Sequence, residues 1–159
     1  MNPCLKQVKM KKEYLTKNQC QTKNLGKYLA RTILKNPSKE NAFILGLVGE
    51  LGGGKTTFLQ GFAKGLNVKE KILSPTFVII KKYKIKETYY SNLYHIDCYR
   101  IKQPKELLEL GFKKIVSDRQ NIIAIEWADK IKRILPNDTS IITFKFINKN
   151  KRRIVFSAF

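Results

Sequence analysis

The sequence predicts an α/β fold: a mixed, mostly parallel sheet flanked by helices, with a β-hairpin at its C-terminal end. Three observations carry that expectation. Short apolar runs of strand length, residues 42–48 and 121–127, alternate with segments of helical period. A glycine-rich stretch joins the first of these strands to a helix, as in βα units. The tail alternates with period two over Thr139 to Ile147 and Arg152 to Ala158, around the polar turn Asn148-Lys149-Asn150-Lys151.

The glycine-rich stretch is Gly49-Glu50-Leu51-Gly52-Gly53-Gly54-Lys55-Thr56, which fits G-x-x-x-x-G-K-[ST]. Backbone N–H groups can close on a phosphate only where few Cβ atoms intervene, and four of these eight residues are glycine. Lys55 opens the following helix, so its ammonium and the helix N-terminus add positive charge at the same place. Thr56 puts a hydroxyl where a phosphate-bound Mg²⁺ takes an oxygen ligand. Strand before and helix after complete a P-loop NTPase fold signature, with Phe58, Leu59, Phe62, Ala63 and Leu66 at helical spacing.

In chain order, residues 1–9 read as a loose basic leader and Met10 to Leu15 as a short edge strand. Thr16-Lys17-Asn18-Gln19 carries a capping signature, Asn18 serving equally well as the cap, for a helix to about Lys35. Its inward stripe is expected to be Leu25, Tyr28, Leu29 and Ile33. Ser74-Pro75-Thr76 is extended before proline, and Thr76 is a candidate sensor of a terminal phosphate, although Ser-Pro-Thr is also ordinary turn chemistry. Phe77 to Ile85 reads as one long strand, with a turn over 86–90. Asn92 to Arg100 reads as the next, with His95, Asp97 and Tyr99 on one face and Tyr94, Ile96 and Cys98 on the other. His95 is the chain's only histidine, so no two-histidine apparatus is available, and a packing role is the simpler one. Asp97, in an apolar strand, needs a partner, which a metal-water shell or Lys55 would supply.

Pro104 to Gly111 reads as a short helix with proline in its first turn. Asn121 to Trp127 is a buried strand that delivers Glu126 at its C-terminal end, where open α/β sheets gather ligands. Glu126 therefore has the arrangement of a Walker B acid. Trp127 fits either a lid on the nucleotide site or a core aromatic. A helix follows from Ala128 to Leu135.

The chain has 159 residues, one domain's worth. Lys and Arg number 32 against 12 Asp and Glu, a formal charge of +20 that favours RNA, DNA or acidic surfaces. The lysines are spread along the chain, so a generally basic solvated surface accounts for them equally. Cys4, Cys20 and Cys98 form neither a Cys-x-x-Cys pair nor a His-bearing set, which excludes a zinc site or disulfide framework. No apolar run approaches membrane-spanning length, and a cytoplasmic setting is expected.

Taken together, Gly49 to Thr57, Ser74-Pro75-Thr76-Phe77, His95 to Arg100 and Glu126-Trp127, with Thr22, Leu25 and Gly26 in the first helix, resemble the TsaE (YjeE) family. That is the small P-loop ATPase of bacterial tRNA threonylcarbamoyladenosine synthesis. The resemblance covers the chain from about residue 10 onward. It implies that ATP is bound by Gln19, Leu51, Gly52, Gly53, Gly54, Lys55, Thr56, Thr57 and Trp127, with Gln19 near the adenine. It further implies that Thr56 and Glu126 hold Mg²⁺, and that Lys55, Asp97, Glu126 and Thr76 carry hydrolysis. Partners implied are the TsaB and TsaD proteins, whose synthase would be reset between rounds; direct tRNA contact stays open. Three positions depart from the family pattern: Glu50 where Asp is usual, Gly53 where Ala is usual, and Ala128 where Pro is usual. Arg100 is a candidate charge stabiliser or a structural ion pair, and either Asp97 or Glu126 could position water. A small-molecule kinase on the same loop would need an arginine-rich lid, and none stands out. A plain nucleic-acid-binding module would leave the loop idle.

Overall fold

The computed structural model describes residues 11–37, 40–74, 78–86 and 88–157. Its centre is a seven-stranded sheet in the order β1-β7-β6-β2-β5-β4-β3. The strands are β1 (Lys12–Thr16), β2 (Phe43–Gly49), β3 (Ile80–Lys84), β4 (Asn92–Asp97), β5 (Asn121–Glu126), β6 (Ser140–Phe146) and β7 (Arg152–Ser157). β2 pairs parallel with both β5 and β6, and β5 parallel with β4. β3 and β7 run against their neighbours, so five of the seven strands point the same way.

Helices cover both faces, which is why the central strands are apolar throughout rather than alternating. β5 is buried at all six positions. On one face Leu45, Leu47, Ile122 and Ala124 pack with Phe58, Phe62 and Leu29 from α1 (Gln19–Lys35) and α2 (Lys55–Gly65). On the other, Ile44, Ile123 and Ile125 meet Leu107 and Phe112 from α3 (Pro104–Glu109) and α4 (Phe112–Ser117), and Ile131 from a 3₁₀ segment, Ala128–Ile134. No helix among the described residues is long and apolar enough to cross a membrane.

α1 begins where its side chains dictate: the Gln21 N–H donates to Asn18 Oδ1 at 2.9 Å, so Asn18, rather than Thr16, is the cap. Its buried stripe is Thr22, Gly26, Leu29, Ala30 and Ile33. Tyr28, expected inside, is 65% exposed. The physical reason is that α1 presents its small residues to α2: a Cβ on Gly61 would lie 1.9 Å from the Lys23 carbonyl, so the two backbones touch. Sequence periodicity weighted by large apolar residues misplaces such a stripe by about one residue's rotation.

Other boundaries also move. Of the strand expected over 77–85, Phe77 lies outside the described residues and β3 covers Ile80–Lys84; the strand expected over 92–100 stops at Asp97, beyond which a turn forms at Tyr99 and Arg100. α4 was not anticipated; Gly111 at φ 85° redirects the chain into it. The segment after Trp127 is 3₁₀ and kinked at Ile131 instead of a regular helix. The C-terminal hairpin is present, but β6 is inserted beside β2 as a central strand.

Candidate functional site

A cleft of about 670 Å³ opens at the C-terminal ends of β2, β4 and β5. Its floor is the loop between β2 and α2. Gly53 N–H donates to Glu50 O at 3.0 Å, and Gly54 stands at φ 99°, a conformation that a side chain would strain. Leu51 to Thr57 all line the cleft, as do Gln19, Asp97, Glu126 and Trp127. Thr76 lies outside the described residues; Ser74, two residues before it, reaches the cleft.

Lys55 is buried, and its ammonium donates to Gly49 O at 2.7 Å and Glu50 O at 2.8 Å. The Trp127 ring lies over it, 4.1 Å from nitrogen to centroid. Burial pushes its pKa below the ordinary lysine value, against the opposing pull of Glu126 and Asp97. Trp127 holds this position at φ 58°, left-handed for a non-glycine residue, with its ring tilted against Tyr99 at 5.1 Å.

Glu126 is only 3% exposed, so it is a site carboxylate rather than a surface acid. The Thr56 hydroxyl donates to its carboxylate, 3.1 Å from each oxygen. From the opposite side His95 Nε2 lies 2.9 Å from Oε1. With Nδ1 buried and unpartnered, the neutral Nε2–H tautomer leaves only an acceptor unsatisfied, so the ring donates to Glu126. The single histidine thus packs, as expected of it, but packs onto the site.

Asp97 sits beside Glu126 in the β4–β5 register. Its partners are the Tyr99 N–H at 2.9 Å and the Ser74 hydroxyl at 3.5 Å. Lys55, one of the two partners anticipated for it, makes no ion pair with it. Burial raises the Asp97 pKa above the usual aspartate value, and the Glu126 charge adds to the rise against the Tyr99 N–H. A hydroxyl and carboxylates converging at the mouth of a phosphate loop are hard oxygen donors of the kind Mg²⁺ takes, with waters completing its shell.

One contributor escaped the sequence reading. Arg152, at the start of β7, donates from Nε to Gly52 O at 3.0 Å, and its Nη1 reaches Asn148 O at 2.6 Å and Lys151 O at 2.9 Å. It ties the β6–β7 turn to the phosphate loop, and brings Lys149 and Asn150 to the rim of the cleft. Nothing in the local sequence pattern marks Arg152 above its neighbours. Arg100 is exposed and does not line the cleft.

A parallel-centred sheet, a glycine loop entering a helix at Lys55 and an acid at the end of the adjacent strand define a P-loop nucleotide-binding protein. Comparison with known proteins narrows this. The family model for the threonylcarbamoyl adenosine biosynthesis protein TsaE matches residues 16–154, and the chain belongs to that family. It is 39% identical over 133 residues to the tRNA threonylcarbamoyladenosine biosynthesis protein TsaE of Rickettsia typhi, covering 83% of this chain and 85% of that one. The protein of the same name from Bacillus subtilis is 39% identical over 115 residues, 72% of this chain and 69% of its own length. Among solved structures, YdiB of Bacillus subtilis superposes with a TM-score of 0.71 at 32% identity, over 95% of this chain and 87% of that one.

Proposed function

We propose that this protein hydrolyses ATP with Mg²⁺ in the cleft, as the ATPase component of tRNA threonylcarbamoyladenosine synthesis. The observation that carries the reading is the convergence of the Thr56 hydroxyl on the buried Glu126 carboxylate at the mouth of the phosphate loop. Thr56 and Glu126 would hold the ion, which supplies positive charge at the outer phosphates when bound.

The chain's own residues do the rest. Amides of Leu51 to Thr57 and the N-terminus of α2 cradle the phosphates. Lys55 exchanges its two loop carbonyls for phosphate oxygens, and Trp127, resting on Lys55, shifts to admit them. His95 holds the Glu126 carboxylate in place. Glu126 is buried and held closely by Thr56 and His95, whereas Asp97 is half-buried at the cleft, with only the long Ser74 contact on Oδ2 and a raised pKa. Asp97 is therefore the group that orients the attacking water. Thr76 senses the γ-phosphate, a role resting on the sequence and on the placement of Ser74. Gln19 and Asn18, at the rim, lie on the side of the base.

Stimulation by TsaB and TsaD, and resetting of their synthase by hydrolysis, are part of the same proposal, which membership of a tRNA threonylcarbamoyladenosine biosynthesis family supports. Phosphate release from ATP and Mg²⁺, measured with and without those two proteins, tests the reading. Slow release accelerated by the partners is expected; ATP consumed with a phosphorylated small acceptor as product overturns it in favour of a kinase.

A further inference from the structure

A second groove, of about 700 Å³, lies between α1 and the segment that follows α2. Lys23, Lys27 and Arg31 enter it from α1, Lys64 from α2, and Lys69 and Lys71 from the connecting segment, with Glu70 the single acid. Lys23, Lys27 and Arg31 are four residues apart, so they stand in one row at about 6 Å intervals along the helix. None of the six makes an ion pair with a described carboxylate.

A uniformly basic composition does not produce this arrangement. α1 and α2, which together form one layer of the molecule, contain no Asp or Glu at all. Across the sheet, Glu106, Glu109 and Asp129 are interspersed with the lysines of α3 and the 3₁₀ segment. Among the helices, the positive charge is thus unopposed on one layer only. Tyr28 lies on the same exposed side of α1, four residues from Asn24 and three from Arg31, both of which line the groove. A nucleic acid engages the cations and the tyrosine together, phosphates on the former and a base stacked on the latter.

We propose that the α1–α2 groove, with Tyr28 at its edge, is an RNA-binding surface that takes the phosphate backbone of the tRNA. The choice of RNA over DNA rests on the functional reading above. α1 connects this groove with the nucleotide cleft, since Gln19 lines one and Cys20 the other. RNA on the groove would therefore lie within a helical turn of the ATP site.

Equilibrium binding of a fluorescently labelled, unmodified tRNA transcript to the full chain, across about 50 to 200 mM salt, tests this. The Lys27→Gln/Arg31→Gln/Lys69→Gln variant is expected to bind at least tenfold more weakly, with the log–log salt slope reduced by about 2. A matched variant on the other layer, Lys113→Gln/Lys114→Gln/Lys132→Gln, should change affinity less than twofold. Tyr28→Ala should cost about fivefold or more with the slope unchanged, because stacking releases no counterions. Equal losses from both layers overturn the proposal in favour of undirected charge. A groove variant with unaltered RNA affinity that no longer binds TsaB or TsaD overturns it in favour of an acidic protein partner. Circular dichroism melts verify that each variant is folded. ATP hydrolysis on the same samples separates the two readings: intact hydrolysis without groove-dependent RNA binding sinks only this proposal, whereas groove-dependent binding by a wild-type chain that hydrolyses no ATP sinks only the other.

Discussion

The two clefts that share α1 present positive charge by different physical means. In the nucleotide cleft one lysine is buried, two carboxylates stand beside it, and main-chain groups from a glycine loop do much of the work. In the groove six cationic side chains stand together on the solvated surface. Burial makes the first site costly and specific, because each desolvated group must meet its partner in one geometry. Solvation makes the second tolerant, since long flexible cations adapt to any polyanion at a modest gain per contact.

Substitutions can break that contrast or make it firmer. Lys55→Ala removes the charge that the loop is built around and should lower ATP hydrolysis at least a hundredfold while leaving tRNA affinity within about twofold. A parallel loss of tRNA affinity would mean that the two clefts are one site. His95→Ala leaves Glu126 without its second donor. The Mg²⁺ concentration needed for nucleotide binding should rise about tenfold to a hundredfold. Trp127, the chain's single tryptophan, reports the binding by fluorescence. His95→Gln keeps an N–H donor and should recover most of the loss; unchanged metal dependence in the alanine variant would reduce His95 to packing.

Gly61→Ala acts on the layer common to both clefts. Its Cβ would meet the Lys23 carbonyl at 1.9 Å, so α1 must move away from α2. A loss of about 2 kcal/mol or more in denaturant unfolding is expected. Full stability would show that the helix pair is more loosely packed than its geometry implies.

The smallest effects on stability are electrostatic. Asp97 has a folded pKa raised chiefly by burial, so its favourable contribution exists below the unfolded pKa and is lost as pH rises through the folded one. At neutral pH the ionised group destabilises the chain. Asp97→Asn should therefore raise the melting temperature of the nucleotide-free protein by no more than a few degrees, while hydrolysis collapses. The same shift places the acid limb of the hydrolysis profile above the ordinary aspartate range. Lys55, lowered by burial, places the alkaline limb of nucleotide binding below the ordinary lysine range. Limbs at the unshifted positions would show that both groups are solvated in the working protein.

Much of the nucleotide cleft is legible along the chain, because its chemistry is local. Glycines, Lys55 and Thr56 are consecutive, and the acid of Glu126 ends an apolar run that can only be a buried strand. The β2–α2 unit, the Asn18 cap and the strand carrying Glu126 are therefore written in short-range pattern. Tyr28 was misplaced because the pattern favours bulk, while the α1–α2 contact is made by glycine and alanine.

What required the assembled structure is everything that spans distant segments. His95 reaches Glu126 only because β4 pairs parallel with β5 in a register that sets His95 opposite Ala124 and Asp97 opposite Glu126. Arg152 reaches the carbonyl of Gly52, 100 residues earlier, only because β6 lies against β2 and turns β7 back toward the loop. Sequence spacing aligns Lys23, Lys27 and Arg31 on α1, but only the fold brings Lys64, Lys69 and Lys71 to the same groove. Local interactions fix what each segment must be. Strand order, register and helix contact are set by burying shared apolar surface, and that choice belongs to no single stretch of sequence.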